Sequence, residues 1–235
     1  MTITLIPVEG IPEVREGDDL ASLLQAAADF EAGDILVVAQ KVVSKAEGRV
    51  VGLDDVEASE EARELAADHD PRELEVILGE AARIVRTRPP LVIAETRHGF
   101  VCASAGVDHS NAPGPNTVVL LPVDPDASAR RLADRLGVAV IVSDSFGRPF
   151  RQGTTDVAIG VAGLTALLDL RGVRDSAGYE LRTTMIAVAD EIAGAAELVM
   201  GKTAGIPAVI VRGLDLRGDG GASDLVMPAE RDLFR

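Results

Sequence analysis

The run Val138-Ala139-Val140-Ile141-Val142 is short, mostly β-branched and free of polar residues, and it reads as a buried strand. The next stretch is opposite in character: Ser143-Asp144-Ser145-Phe146-Gly147-Arg148-Pro149-Phe150-Arg151-Gln152-Gly153-Thr154. A buried strand that delivers a carboxylate, hydroxyls, glycines and two arginines to its exposed end constrains the fold, because ligand sites on α/β sheets sit at such ends. Asp144 and Ser145 offer hard oxygens suited to Mg2+ or Mn2+. Arg148 and Arg151 suit a carboxylate or a phosphate.

The other segments give an α+β order. Strands are expected over 2–6, Ile35–Ala39, Leu91–Glu95, Gly99–Cys102, Thr117–Leu121, Thr183–Ala189 and Ile206–Val211. Leu91–Glu95 and Gly99–Cys102 form a hairpin about Arg97-His98. Helices are expected from an Asp18 or Asp19 cap to about Phe30, over 58–68, from Asp70-Pro71 to about Arg86, over Asp126–Leu136 and over Asp190–Met200. Pro89-Pro90 is expected to stop the helix before it. Strands and helices do not alternate regularly, so the sheet is expected to be mixed. The chain reads as one domain over residues 1–235, with a subdomain over about 70–125.

The 235 residues are 47% hydrophobic and carry a formal charge of −15, which fits a globular chain and argues against nucleic-acid or membrane-surface binding. No basic segment followed by a long apolar one opens the chain, so neither a signal peptide nor a membrane span is expected. The single cysteine, Cys102, cannot form an intrachain disulfide and suits a reducing cytoplasm; in its apolar strand it reads as a core residue. Of 23 basic residues only Lys41, Lys45 and Lys202 are lysines. A compact ammonium does what guanidinium cannot, and phosphate binding often uses it.

Asp108 and Asp144 both lie in glycine-bearing turns and form a candidate divalent-metal pair, although either alone reads as a turn-former or cap. His109 has no partner spacing for zinc, and His69 and His98 read as surface loop residues. Gly201-Lys202-Thr203 resembles the end of a phosphate-binding P-loop, but Ala196 stands where the first glycine belongs and the order of helix and strand is reversed.

Taken together, several segments resemble the coenzyme F420-0:γ-glutamyl ligase family through nearly the whole chain. They are Pro7-Val8-Glu9-Gly10-Ile11-Pro12-Glu13-Val14 with Gly17-Asp18-Asp19-Leu20, Lys41-Val42-Val43-Ser44-Lys45-Ala46-Glu47-Gly48-Arg49, Gly106-Val107-Asp108-His109-Ser110-Asn111, Ser143-Asp144-Ser145-Phe146-Gly147-Arg148-Pro149, and Ala189-Asp190-Glu191-Ile192-Ala193 leading to Gly201-Lys202 and Ile206-Pro207. The resemblance implies an unusual mixed-sheet α+β fold, an intertwined homodimer, and a cytosolic enzyme. It implies GTP-dependent addition of L-glutamate to coenzyme F420-0 through an acyl phosphate, with further γ-linked glutamates in part of the family. The expected cofactors are GTP as co-substrate, two Mg2+ or Mn2+ ions, and K+.

Carried over position by position, the resemblance puts Asp108, Asp144 and Ser145 on metal positions. It puts Ile11, Pro12, Glu13 and Val14, with Gln40, Lys45 and Asn111, on GTP positions. A further nucleotide segment runs through Met200, Gly201, Lys202, Thr203, Ala204, Gly205, Ile206 and Pro207. Arg148 joins Asp108 and Asp144 as an expected catalytic residue, and Arg148 or Arg151 would take glutamate or the phosphodiester of F420-0. Three positions depart from the family pattern. Gln40 replaces a common serine, Ser145 a common threonine, and Lys202 stands where some archaeal members carry a Gln or Glu metal ligand. Some bacterial members carry a fused nitroreductase-like domain, and none is expected within these 235 residues. The same residues also admit a metal-dependent phosphohydrolase, another GTP-dependent acid–amine ligase, or a nucleotide-binding subunit without chemistry.

Overall fold

The computed structural model describes residues 2–233. In chain order the elements are β1 (Thr4–Val8), α1 (Leu20–Ala27), β2 (Ile35–Ala39), α2 (Gln40–Ala46), β3 (Val50–Gly52), α3 (Glu60–Ala66), α4 (Pro71–Glu80), β4 (Ala81–Arg88), β5 (Leu91–Thr96), β6 (Val101–Ala103), β7 (Thr117–Val119), α5 (Pro125–Leu136), β8 (Ala139–Gly147), β9 (Thr154–Ala162), β10 (Leu168–Asp169), β11 (Met185–Ile186), α6 (Val188–Met200) and β12 (Ala208–Arg212).

The continuous apolar runs become strands covered on both faces. The central sheet has the order β1-β12-β2-β8-β9; β2 and β8 are parallel and the other neighbours antiparallel. Along β2, Leu36 and Val38 face one core with residues of α1, α2 and α5, while Ile35 and Val37 face another with α6. Both faces are therefore dry, which is why these strands lack polar alternation. The α6 helix lies close to the sheet because Ala193 and Ala196 are small and fully buried. A third core gathers α3, α4, β5 and the turn before Asp108, around Leu53, Leu74, Ile77, Val92 and Val118. The chain is thus α+β with a mixed sheet.

Several boundaries differ from the sequence expectation. The helix begun at Asp70-Pro71 ends at Glu80, and Ala81–Arg88 is a strand antiparallel to β5. Ile84, Val85 and Thr87 favour a strand, and Arg83 pairs across it with Glu95 at 2.7 Å. Pro89-Pro90 therefore makes the β4–β5 turn rather than stopping a helix. Thr183–Ala189 is strand only at Met185–Ile186, since α6 begins at Val188. The segment after Ala39 is helical as α2, and 154–162 is a full strand, neither of which the sequence reading assigned. The β8 strand continues to Gly147, so Asp144 and Ser145 lie within it and pair with Val157 and Asp156.

A β-bulge precedes these residues. Val142 pairs with Gly160 and Ser143 with Ala158, leaving Ile159 extra. The side chains change phase there: Ala162 and Ile159 share one core and Val161 and Ala158 the other, although each pair is three residues apart. The bulge re-aims the polar end of β8.

Candidate active site

At one end of the sheet β1 and β2 finish, β12 begins and β8 runs past. The parallel pair β2/β8 presents its carboxyl ends here, the expected place for a ligand. The cleft at this end is about 320 Å³ in volume. It is lined by Ile11, Pro12, Glu13 and Val14 after β1, by Gln40, Lys41 and Lys45 of α2, by Asn111, and by Ser143, Asp144 and Ser145 of β8. Asp156 of β9, Glu197 of α6 and the segment before β12 complete it, with Met200, Gly201, Lys202, Thr203, Gly205, Ile206 and Pro207. Pro207 joins this segment to β2 by accepting from Ala39 N–H at 2.8 Å.

All three lysines of the chain meet in this cleft. The Lys45 Nζ donates to Glu13 Oε1 at 2.6 Å. The Lys41 Nζ lies 2.6 Å from Asp108 Oδ2 and also donates to Ser110. The Lys202 Nζ donates to Ser145 Oγ at 2.8 Å. Lys41 and Lys45 are nearly enclosed, with side chains 12% and 7% exposed. Two enclosed ammonium groups in a protein of such acidic charge mark a place built for anions.

The carboxylates are arranged with equal economy. Asp144 sits at the floor of the cleft, surrounded by protein yet reached through the mouth, and burial pushes its pKa up to about 7. The Ser145 N–H and the Lys41 charge oppose that rise, while Asp156 and Asp108 add to it. Asp108 is held below the usual carboxylate range: burial would raise it, but Lys41 and the Ser110 N–H and hydroxyl outweigh burial. Asp156 is buried and accepts from Ser145 Oγ at 2.6 Å and Ser143 Oγ at 3.0 Å. Gln40 is buried, its Oε1 accepting from Ser44 Oγ at 2.7 Å while its Nε2 has no partner in the protein. An orphaned buried amide N–H2 that lines a cleft is suited to a ligand oxygen.

The sequence-derived residues thus converge, with exceptions. Asp108 reaches the cleft only through Lys41, from a turn of the third core, and Ala204 does not line it. Arg148 lies in the β8–β9 turn, donating to Gln152 O at 2.9 Å, and neither it nor Arg151 lines the cleft. His109 faces Glu73, 3.0 Å away, and Thr117 O. His98 is half-buried, stacks on Phe100 and meets the carbonyls of Pro122 and Val123, so it is less a surface residue than expected. Cys102 is buried and its thiol is pushed up to about 12, chiefly by burial and then by Asp144, so it is inert. Asp156 escaped the sequence reading because β9 itself did.

The donor set can be tested against the metal ions that the family resemblance implies. Among the described residues no three His, Cys, Asp or Glu side chains form a ready ion cage. Asp144 nonetheless fits one divalent ion, because its buried carboxyl carries no salt-bridge partner and a cation would relieve it. Ser145 fits less well, because its hydroxyl is already engaged on both sides.

A family model described as F420-0:Gamma-glutamyl ligase matches residues 10–213. The chain belongs to that ligase family. Proteins named coenzyme F420:L-glutamate ligase are similar along all or nearly all of their lengths. The one from Methanothermobacter thermautotrophicus is 48% identical over 252 residues, covering 100% of both chains. The one from Methanopyrus kandleri is 49% identical over 248 residues, covering 100% of this chain and 98% of its own. The one from Archaeoglobus fulgidus is 42% identical over 243 residues, with 100% and 97% coverage. In this member of the F420-0:γ-glutamyl ligase family the cleft at the end of the mixed sheet draws its lining from the loop after β1, from α2, β8, β9 and α6, and from the segment before β12. No helix among the described residues is long and apolar enough to cross a membrane.

Proposed function

We propose that the chain is a GTP-dependent ligase that adds L-glutamate to coenzyme F420-0. The observation that carries this reading is the meeting of all three lysines with the half-buried Asp144 in one cleft. A carboxylate is a poor acyl donor and needs activation. Transfer of the GTP γ-phosphoryl group to the F420-0 carboxylate forms a carboxyl O–P bond, breaks the γ–β bridge and releases GDP. The glutamate amine then forms the amide bond at the carbonyl carbon, inorganic phosphate leaves, and the amine loses its proton.

Lys41, Lys45 and Lys202 provide the positive charge that the phosphates require. The free Gln40 amide N–H2 offers a donor to the nucleotide. Asp144 would hold Mg2+ or Mn2+, which supplies neutralisation of the phosphates and of the developing charge, while Asp108 holds the Lys41 ammonium in place. Arg148 and Arg151, on the hairpin turn beyond Ser145, are the candidates for the carboxylates of incoming glutamate. The chain is also taken to act as a homodimer: the arm from β10 to β11 exposes Val173, Tyr179 and Met185, an apolar surface a second copy would cover.

The test is mass spectrometry of F420-0 incubated with protein, GTP, Mn2+ and glutamate, with GDP followed in parallel. The expected outcome is one or more added glutamyl units, with GDP released over many turnovers only when F420-0 and glutamate are both present. Multiple-turnover phosphate release without glutamate would identify a hydrolase, and no release a binding subunit; either result rejects the ligase reading.

A further inference from the structure

The Ser145 oxygen has one proton and two lone pairs to spend. The proton goes to Asp156 Oδ1 at 2.6 Å, and the Lys202 ammonium takes one lone pair at 2.8 Å, so any cation at the other would sit against its charge. Asp156 is fixed in turn by Ser143 Oγ at 3.0 Å, so the chain Lys202–Ser145–Asp156 is a connected line of donors ending on a buried carboxylate. An ammonium offers donors only and cannot ligate a cation. It brings its own charge instead. Lys202 is carried on an exposed loop bracketed by Gly201 and Gly205, both at positive φ, which lets the backbone turn the side chain back onto β8.

The charge balance points the same way. Asp108, Asp144 and Asp156 bring three carboxylates; Lys41 lies directly on Asp108, and Lys202 reaches Asp156 only through the Ser145 hydroxyl. Neither Asp144 nor Asp156 touches an ammonium, but Asp156 is satisfied by the Ser143 and Ser145 hydroxyls, which leaves Asp144 as the one of the three without a side-chain donor. One divalent ion answers it, whereas a second at Ser145 would have to expel Lys202 or sit beside a like charge.

We propose that Lys202 is a tethered cation standing in for a second divalent ion at Ser145, so that the cleft takes one divalent ion per GTP. This rests on the GTP-dependent ligase reading. Family members with Gln or Glu at this position would have an oxygen ligand where this chain has a charge.

The experiment counts Mn2+ per chain by equilibrium dialysis, with a GTP analogue whose β–γ bridge is NH, and measures retained nucleotide in the same samples. Wild type, Lys202→Arg and Ser145→Ala are each expected to bind one Mn2+ per chain. Lys202→Gln is expected to gain a second, at least tenfold tighter than any second ion on wild type. Circular dichroism checks that each variant is folded. Two tight Mn2+ ions on wild type, one of them lost in Ser145→Ala, would overturn the proposal and leave the ligase reading standing. So would a folded Lys202→Gln that still binds one. A wild type that retains no nucleotide would overturn the ligase reading itself and the proposal with it.

Discussion

At the floor of the cleft, burial and the neighbouring Asp156 and Asp108 charges raise the Asp144 carboxyl to about 7. Stability therefore depends on pH. Below the ordinary aspartate range the group is protonated in both folded and unfolded chains and costs nothing. As pH rises toward 7 the unfolded chain ionises while the fold holds the proton, so stability falls, and above 7 the loss is complete. Asp144→Asn removes that loss. In metal-free protein with chelator, it should raise stability at pH 8 by on the order of 2 kcal/mol, a value reduced for solvent reaching the cleft, with the gain closing toward pH 4. Its ligase turnover should fall by orders of magnitude. Thermal melts at both pH values check the first part, and an unchanged melting point at pH 8 would contradict it. At this scale the sequence was informative about cations: with lysine so rare, the two segments that carry the three lysines already stood out. It was silent on Asp156, whose importance arises only when a partner strand lays it across from Ser145.

Elements were legible where a single apolar face or a cap decided them. The Asp124 cap and Pro125 start α5, Gly137 ends it at φ 73°, and the segment was read within a residue or so. The helix start at Asp70-Pro71 was legible, but residues 81–86 were misjudged because local helix signals carry no information about where pairing with Leu91–Thr96 takes over. The bulge between β8 and β9 was equally hidden, since it is a property of two strands. Its neighbour Gly160 is fixed by contact: a Cβ there would collide with the Pro125 carbonyl at the start of α5. Gly160→Ala should therefore cost about 2–3 kcal/mol, because backbone must move to admit the methyl group. Urea unfolding measures this, and a midpoint equal to wild type would show that α5 does not press on β9 as described.

For the molecule as a whole, the mixed α+β class was readable from the irregular order of strands and helices, whereas the sheet order was not. At the end opposite the cleft, buried Asp34 before β2 accepts from Arg212 at the end of β12, Nε to Oδ1 at 2.7 Å and Nη2 to Oδ2 at 2.8 Å. Burial pushes Asp34 up, but Arg212 and the Glu31 N–H outweigh it and hold the carboxyl below its usual range. Such a depressed carboxyl stabilises the fold fully above its unfolded pKa and loses that contribution as pH falls through the folded one. Asp34→Asn should lose about 2 kcal/mol at pH 7, less than a fully buried pair because Arg212 is partly exposed. The gap to wild type should shrink once pH drops below the ordinary aspartate range. Urea midpoints at neutral and acid pH test it, and a gap independent of pH would refute the ion-pair account.

The third core has a consequence for how the molecule fails. Asp108 is held by a turn closed at Gly106, where a Cβ would meet Leu121 Cγ at 2.6 Å, and its neighbours Ala105 and Val107 belong to that core. Asp144 and Lys202, by contrast, ride on the central sheet and its approach loop. Lys41 is one clasp between the third core, the smaller unit, and the central sheet, and Arg49, paired with Glu80, is another. Warming that melts only the smaller unit would open both clasps and stop turnover while the central sheet still holds. Heat inactivation would then run ahead of calorimetric unfolding, and the enzyme would recover on cooling without having to refold its largest sheet.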